Sequence, residues 1–499
     1  MDTVSGAPTH STPLHGHDTV TLEQAIDLLA IVGDLSMGQP IDASERAARL
    51  AWRVASAAGG DAAACVHAHM MARLRWSGCT ANASDVAALL GDDVGGRHAM
   101  LGRTLGARQA ALLANDPSLA EIHCEVAGDI AATMGLPAPV EHGLRHAFEQ
   151  FDGRGLPHGL RAGEVPGVVY QVALAGDIEV LSRVHGVEPA LKMIAQLGDA
   201  KYPAALAALA LPHARAWLDE IDDEAPPPAP PAFLPVSVPL TLVADMIELK
   251  LPWLAGYSRR VALLAQHAAQ LAGLPEAQQR TLARAALLHG IGRAAVRNTV
   301  WERAGKLRSA DWEAVRLVPY WTARAGSRVD GLEQEAQLAS HVYERLDGSG
   351  YFRSLDAATL GMPQRLLAAS AAFVALRSPR PWRAPHEAAA ARALLEAQVV
   401  GGRFDRAAVD AVCAAAGMPA DPAAALAAAR TAPEARATLS AREVEVLQRI
   451  SLGESNKEAA RAMRISPSTV RTHVESIFRK LGCSTRAAAT LRALTLGLI

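Results

Sequence analysis

Between Asn456 and Lys480 the chain gathers side chains suited to one kind of chemistry. Asn456, Lys457, Ser466, Ser468, Thr469, Arg471, Thr472, His473, Ser476, Arg479 and Lys480 are hydroxyls, an amide, an imidazole and cations within a short span. Such groups donate hydrogen bonds to phosphate oxygens and to the edges of bases in a groove. Residues 439–499 hold ten Lys or Arg against five Glu, a balance of +5, while the whole chain carries −2 and the remainder therefore −7. The basic balance is local, as a double-stranded DNA partner held at one end of the molecule requires.

The elements that would position these residues are legible in the same stretch. Ser440 with Glu443 three residues on forms a capping box for a helix from Ala441 to about Leu452, which Gly453 stops. Ser455 and Asn456 offer the next cap, Lys457 to Met463 form a short second helix, and Arg464 to Ser466 turn the chain. Ser466 caps a third helix, with Pro467 at its first position where a missing N–H is harmless. Val470, Val474, Ile477 and Leu481 recur at helical spacing as a buried stripe, leaving Ser468, Thr472, Glu475, Ser476 and Arg479 on the opposite face.

This program resembles the LuxR-type helix-turn-helix domain along its whole length. The matching residues are Ser440-Ala-Arg-Glu443, Val446-Leu447, Ser455-Asn-Lys-Glu458, Ser466-Pro-Ser-Thr-Val470, Arg471-Thr-His-Val474, Lys480-Leu-Gly482 and Arg486-Ala-Ala-Ala489. The resemblance implies that the third helix enters the major groove and that a fourth, Thr485 to Leu496, mediates dimerisation. Arg471, Arg479 and Lys480 would then meet phosphates or bases, with Lys457 and the amides near Ser455 on the backbone, and a homodimer would read an imperfect palindrome. Two positions depart from the pattern: Ser468 stands where a Lys commonly contacts phosphate, and Ala459 replaces a usual Ile.

A chain of 499 residues has room for about three domains, of which this tail is one. No apolar run is long enough to span a membrane, and residues 1–20 lack the basic-then-apolar order of a signal peptide, so a cytoplasmic protein without membrane contact is expected. Cys65, Cys79, Cys124, Cys413 and Cys483 are scattered singly and read as reduced thiols. The run Asp-Asp-Glu-Ala-Pro-Pro-Pro-Ala-Pro-Pro-Ala-Phe-Leu-Pro at 222–235 forbids helix and marks a stiff linker. Elsewhere Ala, Leu, Val and Arg at helical spacing predict an all-α chain.

The body contains an internal repeat. Phe148-Glu-Gln-Phe-Asp-Gly-Arg-Gly-Leu-Pro157 matches Tyr343-Glu-Arg-Leu-Asp-Gly-Ser-Gly-Tyr-Phe352 at an offset of 195 residues. The glycines of Asp152-Gly-Arg-Gly155 and Asp347-Gly-Ser-Gly350 permit positive φ and allow backbone amides to face an anion or a neighbouring helix.

The second copy resembles the HD-GYP domain of bacterial cyclic-dinucleotide phosphodiesterases. The resemblance rests on Tyr257-Ser-Arg-Arg-Val261, Ala285-Ala-Leu-Leu-His-Gly-Ile-Gly-Arg293, Lys306-Leu307, Glu344-Arg-Leu-Asp-Gly-Ser-Gly-Tyr351 and Ser378-Pro-Arg-Pro-Trp382. Active members hold two or three metal ions with several His and Asp ligands. At the matching positions this chain keeps His289 but has Tyr257, Gly290, Arg293, Val318, Val342, Tyr343 and Ser370. The first copy matches through residues 149–166 and 175–180 and places Arg75 or a neighbour where the His-Asp pair would sit.

The resemblance therefore implies two degenerate HD-GYP-like helical bundles followed by a four-helix LuxR-type domain. Residues 1–21 would be a disordered N-terminus, 22–221 and 236–415 the two bundles, 222–235 and 416–438 linkers, and 439–499 the DNA-binding unit. It implies no catalytic residues, no cofactor and no metal, with His289 a vestige. His67, His69, His142, His146, His341 and Asp177 read as satisfied structural residues rather than a relocated metal site. The expected protein is a transcriptional regulator whose pseudo-phosphohydrolase body senses a small-molecule or nucleotide effector or a partner, or serves as a dimerisation and partner-docking surface. The alternative is a metal-dependent phosphohydrolase that also binds DNA.

Overall fold

The computed structural model describes residues 18–222, 237–418 and 439–499; most of both predicted linkers lies outside them. Alanine-rich helices pack closely because a methyl group keeps backbones near one another. In the first half, Ala43–Ala57 lies against Ala62–Leu74 and Gly167–His185. In the second, Tyr257–Leu271 lies against Glu276–Leu288, Met362–Arg377 and Arg406–Ala415. Among the described residues the chain is all-α apart from one two-stranded antiparallel sheet, in which Val20 pairs with Val238.

That sheet overturns the expected disorder at Asp18 to Thr21, and the rest of the expected disordered N-terminus, residues 1–17, lies outside the described residues. Thr19–Thr21 pair with Ser237–Pro239, and Thr21 then caps the helix Leu22–Ser36 in a reciprocal capping box with Gln24. Thr19-Val-Thr21 is β-branched and suits a strand, but the run is only three residues long and its partner strand lies more than two hundred positions away.

The two halves share one hydrophobic core, which runs from Val20 to Cys413 and also takes in Ala488 and Leu491 of the C-terminal unit. Across their contact Lys250 donates to Asp93, both fully buried, and the second oxygen of Asp93 accepts from Asn298 N at 2.7 Å.

Each half closes its loop in the same manner. Glu149 accepts from His158 N and Leu160 N at 2.8 and 2.9 Å, and Glu344 accepts from Arg353 N and Leu355 N at 2.8 and 3.0 Å. A Cβ at Gly155 would stand 2.2 Å from Gln150 N, and one at Gly350 would stand 2.4 Å from Arg345 N, so both positions require glycine. The anion that these amides face is thus the protein's own glutamate.

Candidate functional site

The C-terminal unit is built as its caps dictate. Ser440 with Glu443 and Ser455 with Glu458 form reciprocal capping boxes, and Ser466 Oγ accepts from Thr469 N at 3.0 Å. The helices are Ala441–Ser451, Asn456–Met463, Pro467–Leu481 and Arg486–Thr495, with Arg464 in the left-handed region at the turn. Val470, Val474, Ile477 and Leu481 are buried together with Val446, Leu447 and Ile450.

This stripe turns the polar residues outward. Lys457, Ser466, Ser468, Thr469, Arg471, Thr472, Arg479 and Lys480 are exposed; Asn456, His473 and Ser476 are half-buried. Ser466 Oγ lies 2.7 Å from Ser468 Oγ, Thr472 Oγ1 donates to Ser468 O at 3.1 Å, and Arg471 pairs with Glu475 at 2.9 Å.

Three of the predicted contacts are held inside the domain. Ser476 Oγ and Lys480 Nζ each donate to the buried Glu443 at 2.7 Å, and Arg486 Nη2 donates to Asn456 Oδ1 at 2.7 Å. The hydrogen bond from Lys480 and that from the Ser440 amide hold the Glu443 carboxyl down at about 2. These ties cross 30 to 37 positions and leave no local trace in the sequence. Arg471 and Arg479 keep the freer cationic ends.

Between this unit and the body lies a cleft of about 1000 Å3. Arg471, Asn456 and Phe478 line one wall, and Asp85, Glu121 and Glu302 line the other, so an acidic body surface faces the basic unit.

The pocket around His289 has a different character. His289 is fully buried at the end of Glu276–Leu288; its Nδ1–H donates to Ala286 O and its Nε2 accepts from Arg293 Nη2 at 3.0 Å. Arg293 Nη2 also donates to Tyr343 OH at 3.1 Å, and its guanidinium lies 5.1 Å from the Tyr257 ring centre. Burial and the Arg293 charge push His289 down to about 3. The Nε2 lone pair that a metal ion would use is thus taken up by a cation's N–H.

Of the histidines weighed as a relocated site, His146 Nδ1 donates to His142 O at 2.7 Å, His69 lies beside Glu45 at 3.8 Å, and His341 is buried. Asp177 is held by Lys201 at 2.7 and 2.8 Å. Among the described residues they do not gather with carboxylates or thiols into a group of three or more. Cys65, Cys79, Cys124, Cys413 and Cys483 are all free thiols, and no described helix is long and apolar enough to cross a membrane.

Residues 241–408 match the HD domain family, and residues 437–493 match the bacterial regulatory proteins of the luxR family. Over 303 residues the chain is 29% identical to a 3'3'-cGAMP-specific phosphodiesterase of Vibrio cholerae serotype O1, covering 56% of this chain and 63% of that protein. Over 65 residues it is 51% identical to the probable transcriptional regulatory protein NarL of Mycobacterium tuberculosis, covering 13% of this chain and 30% of that protein. The chain thus spans less than two thirds of the length of either relative. In fold it resembles the crystal structure of a cyclic GMP-AMP-specific phosphodiesterase of V. cholerae, with a TM-score of 0.58 over 80% of this chain and 98% of that one, at 21% identity.

These likenesses correct one expectation. The chain was expected not to be an enzyme, on the residues standing at the family's ligand positions. The relatives matched across the body are phosphodiesterases, and the matching family model is an HD domain. The reading as a pseudo-phosphohydrolase does not stand.

Proposed function

We propose, for a chain that joins an HD domain to a C-terminal LuxR-type helix-turn-helix domain, that it is a DNA-binding transcriptional regulator whose body answers to a ligand of the cyclic-dinucleotide class. The observation that carries the DNA-binding half is the exposed, donor-rich face of Pro467–Leu481, set opposite its buried stripe. Lys457, Ser468, Thr469, Arg471, Thr472 and Arg479 are the outward contacts, which Asn456, Ser466, His473, Ser476 and Lys480 complete. Two copies would place their third helices in successive major grooves about one helical turn apart, on an imperfect palindrome. Such a regulator works in the cytoplasm, where the chromosome is.

The ligand half rests on the relatives, whose names specify a cyclic dinucleotide. The mirrored Glu149 and Glu344 loops support reading residues 22–221 and 236–415 as two related helical domains. A second reading, hydrolysis of the same ligand class, is favoured by that kinship. The test incubates the full chain with 3'3'-cGAMP and with cyclic di-GMP, following melting temperature, DNA affinity and product formation. A shift without product supports a ligand-responsive regulator, and release of a linear dinucleotide supports the hydrolase. No shift and no product would sink the ligand half.

A further inference from the structure

The first half of the body holds a cavity of about 400 Å3 that the reading above does not use. Its floor is made by two adjacent residues with unspent hydrogen-bond donors. Arg75 is 5% exposed and its Nε and Nη2 have no partner; Trp76 is 7% exposed and its Nε1 has none. A guanidinium cannot shed its proton, so burying one with two idle N–H groups is costly unless something accepts from them. Glu179 and Asp34 lie near enough to favour the charge, yet Glu179 accepts from Arg183 and Asp34 accepts from Ser44, and neither takes a hydrogen bond from Arg75.

The remaining wall narrows the chemistry. The two carboxylates that line the cavity are already spent: Asp177 on Lys201, and Glu149 on the amides of His158 and Leu160. Gln150 also lines the cavity, and the buried groups there left without a partner are the N–H donors of Arg75 and Trp76. Arg103, which is exposed, and Lys201 add further cations to the lining. Trp76 and Phe148 offer flat rings, stacked at 6.3 Å and 28°, and Met71 adds a polarisable thioether. Gly176 makes the room: a Cβ there would lie 1.9 Å from Arg75 Nη1.

We infer that this cavity is a second ligand site, separate from the His289 pocket, and that it takes a small molecule combining a phosphate group with an aromatic ring, a nucleoside monophosphate. The phosphate would accept from Arg75 and Trp76, with Arg103 at its outer side, and the ring would lie among Trp76, Phe148 and Met71. The volume falls in the range of sites that enclose small ligands, about 300–1,000 Å3, and at its lower end it suits a mononucleotide better than a cyclic dinucleotide.

The experiment is calorimetric titration of the full chain with GMP, AMP, guanosine and inorganic phosphate. Saturable binding of a monophosphate is expected, with guanosine at least tenfold weaker because it lacks the anion. Arg75→Met should weaken the monophosphate at least tenfold. Because a buried arginine also contributes to packing, the exposed Arg103→Ala variant is titrated alongside, with about a threefold loss expected and an unchanged melting temperature. Absence of binding by GMP, AMP and phosphate at millimolar concentration would overturn the assignment. So would equal affinity in wild type and both variants, which would place any observed binding elsewhere.

Discussion

Arg492 and Asp129 stand 363 residues apart and form a two-pronged ion pair, Nε to Oδ2 at 2.8 Å and Nη2 to Oδ1 at 2.6 Å. Asp129 is buried and also accepts from Arg145 at 3.1 Å. Nearby, Ser484 N donates to Glu125 at 2.6 Å, and Ala488 and Leu491 of the fourth helix enter the core of the body. The helix expected to mediate dimerisation is therefore turned toward the body.

Asp129→Asn tests what this contact restrains. Asp129 is buried while Arg492 is partly exposed, so removing the carboxylate charge costs about 1–3 kcal/mol, and the fourth helix should loosen from the body. Amide exchange in 486–495 should quicken, and DNA affinity should rise several-fold as the acidic wall of the cleft moves away. Asp129 is the better partner to change, because Arg492 also bonds Leu481 O at 2.6 Å at the end of the third helix. Unchanged exchange and affinity would mean that the docking restrains nothing.

Glu443→Gln should destabilise the helix-turn-helix unit, since one of the two oxygens that accept from Ser476 and Lys480 becomes an NH2 donor and the charge facing Lys480 is lost. The Glu443 carboxyl sits at about 2 in place of 4.5. A depressed carboxyl contributes stability that is present above its unfolded value and is lost as pH falls from about 5 toward about 2. Acid unfolding of the unit, followed by circular dichroism, should shift to higher pH in Lys480→Met, and an identical acid limb would exclude that tie.

Lys250 and Asp93 make a fully buried pair between the two halves. Lys250→Met alone leaves a buried carboxylate and should cost on the order of 3–5 kcal/mol in denaturant unfolding, whereas Lys250→Met with Asp93→Leu should recover much of that loss. A single variant as stable as the wild type would show that the pair does not hold the halves together.

His123 and His289 are each pushed down to about 3, first by burial. The unfolded chain takes a proton on each near 6.5 while the folded chain does not, so each contributes stability that is complete above about 6.5 and is lost as pH falls toward 3. Asp34 and Glu248, pushed up to about 7 by burial, act in the opposite sense, and their contribution is lost as pH rises from about 4 to about 7. The imidazole resonances of His123 and His289 should stay fixed between pH 8 and 5, and a midpoint near 6.5 in either would show a site open to water.

What the sequence disclosed follows the reach of each interaction. The caps at Ser440, Ser455 and Ser466 act within three residues, so the helices of the C-terminal unit were legible to within a residue or two. The 195-residue repeat was legible because Gly155 and Gly350 fill positions where a Cβ would strike backbone. The strand at Thr19–Thr21, the Lys250–Asp93 pair and the internal ties of Ser476, Lys480 and Asn456 were not legible, because their partners are distant in the chain. The expectation of a non-enzyme failed for another reason. Comparing single positions with a family's ligand set shows which residues differ, and it does not show what the surrounding fold retains.

The C-terminal unit is proposed to read DNA. The direct measurement is genome-wide recovery of fragments bound by the purified full chain at physiological salt, beside a variant carrying Thr472→Ala and Arg479→Ala. A shared, imperfectly palindromic motif that the variant loses is expected, with Arg479→Ala alone lowering the salt slope by about one. Recovery of fragments with no common motif, or the same motif at the same strength in the variant, would contradict it.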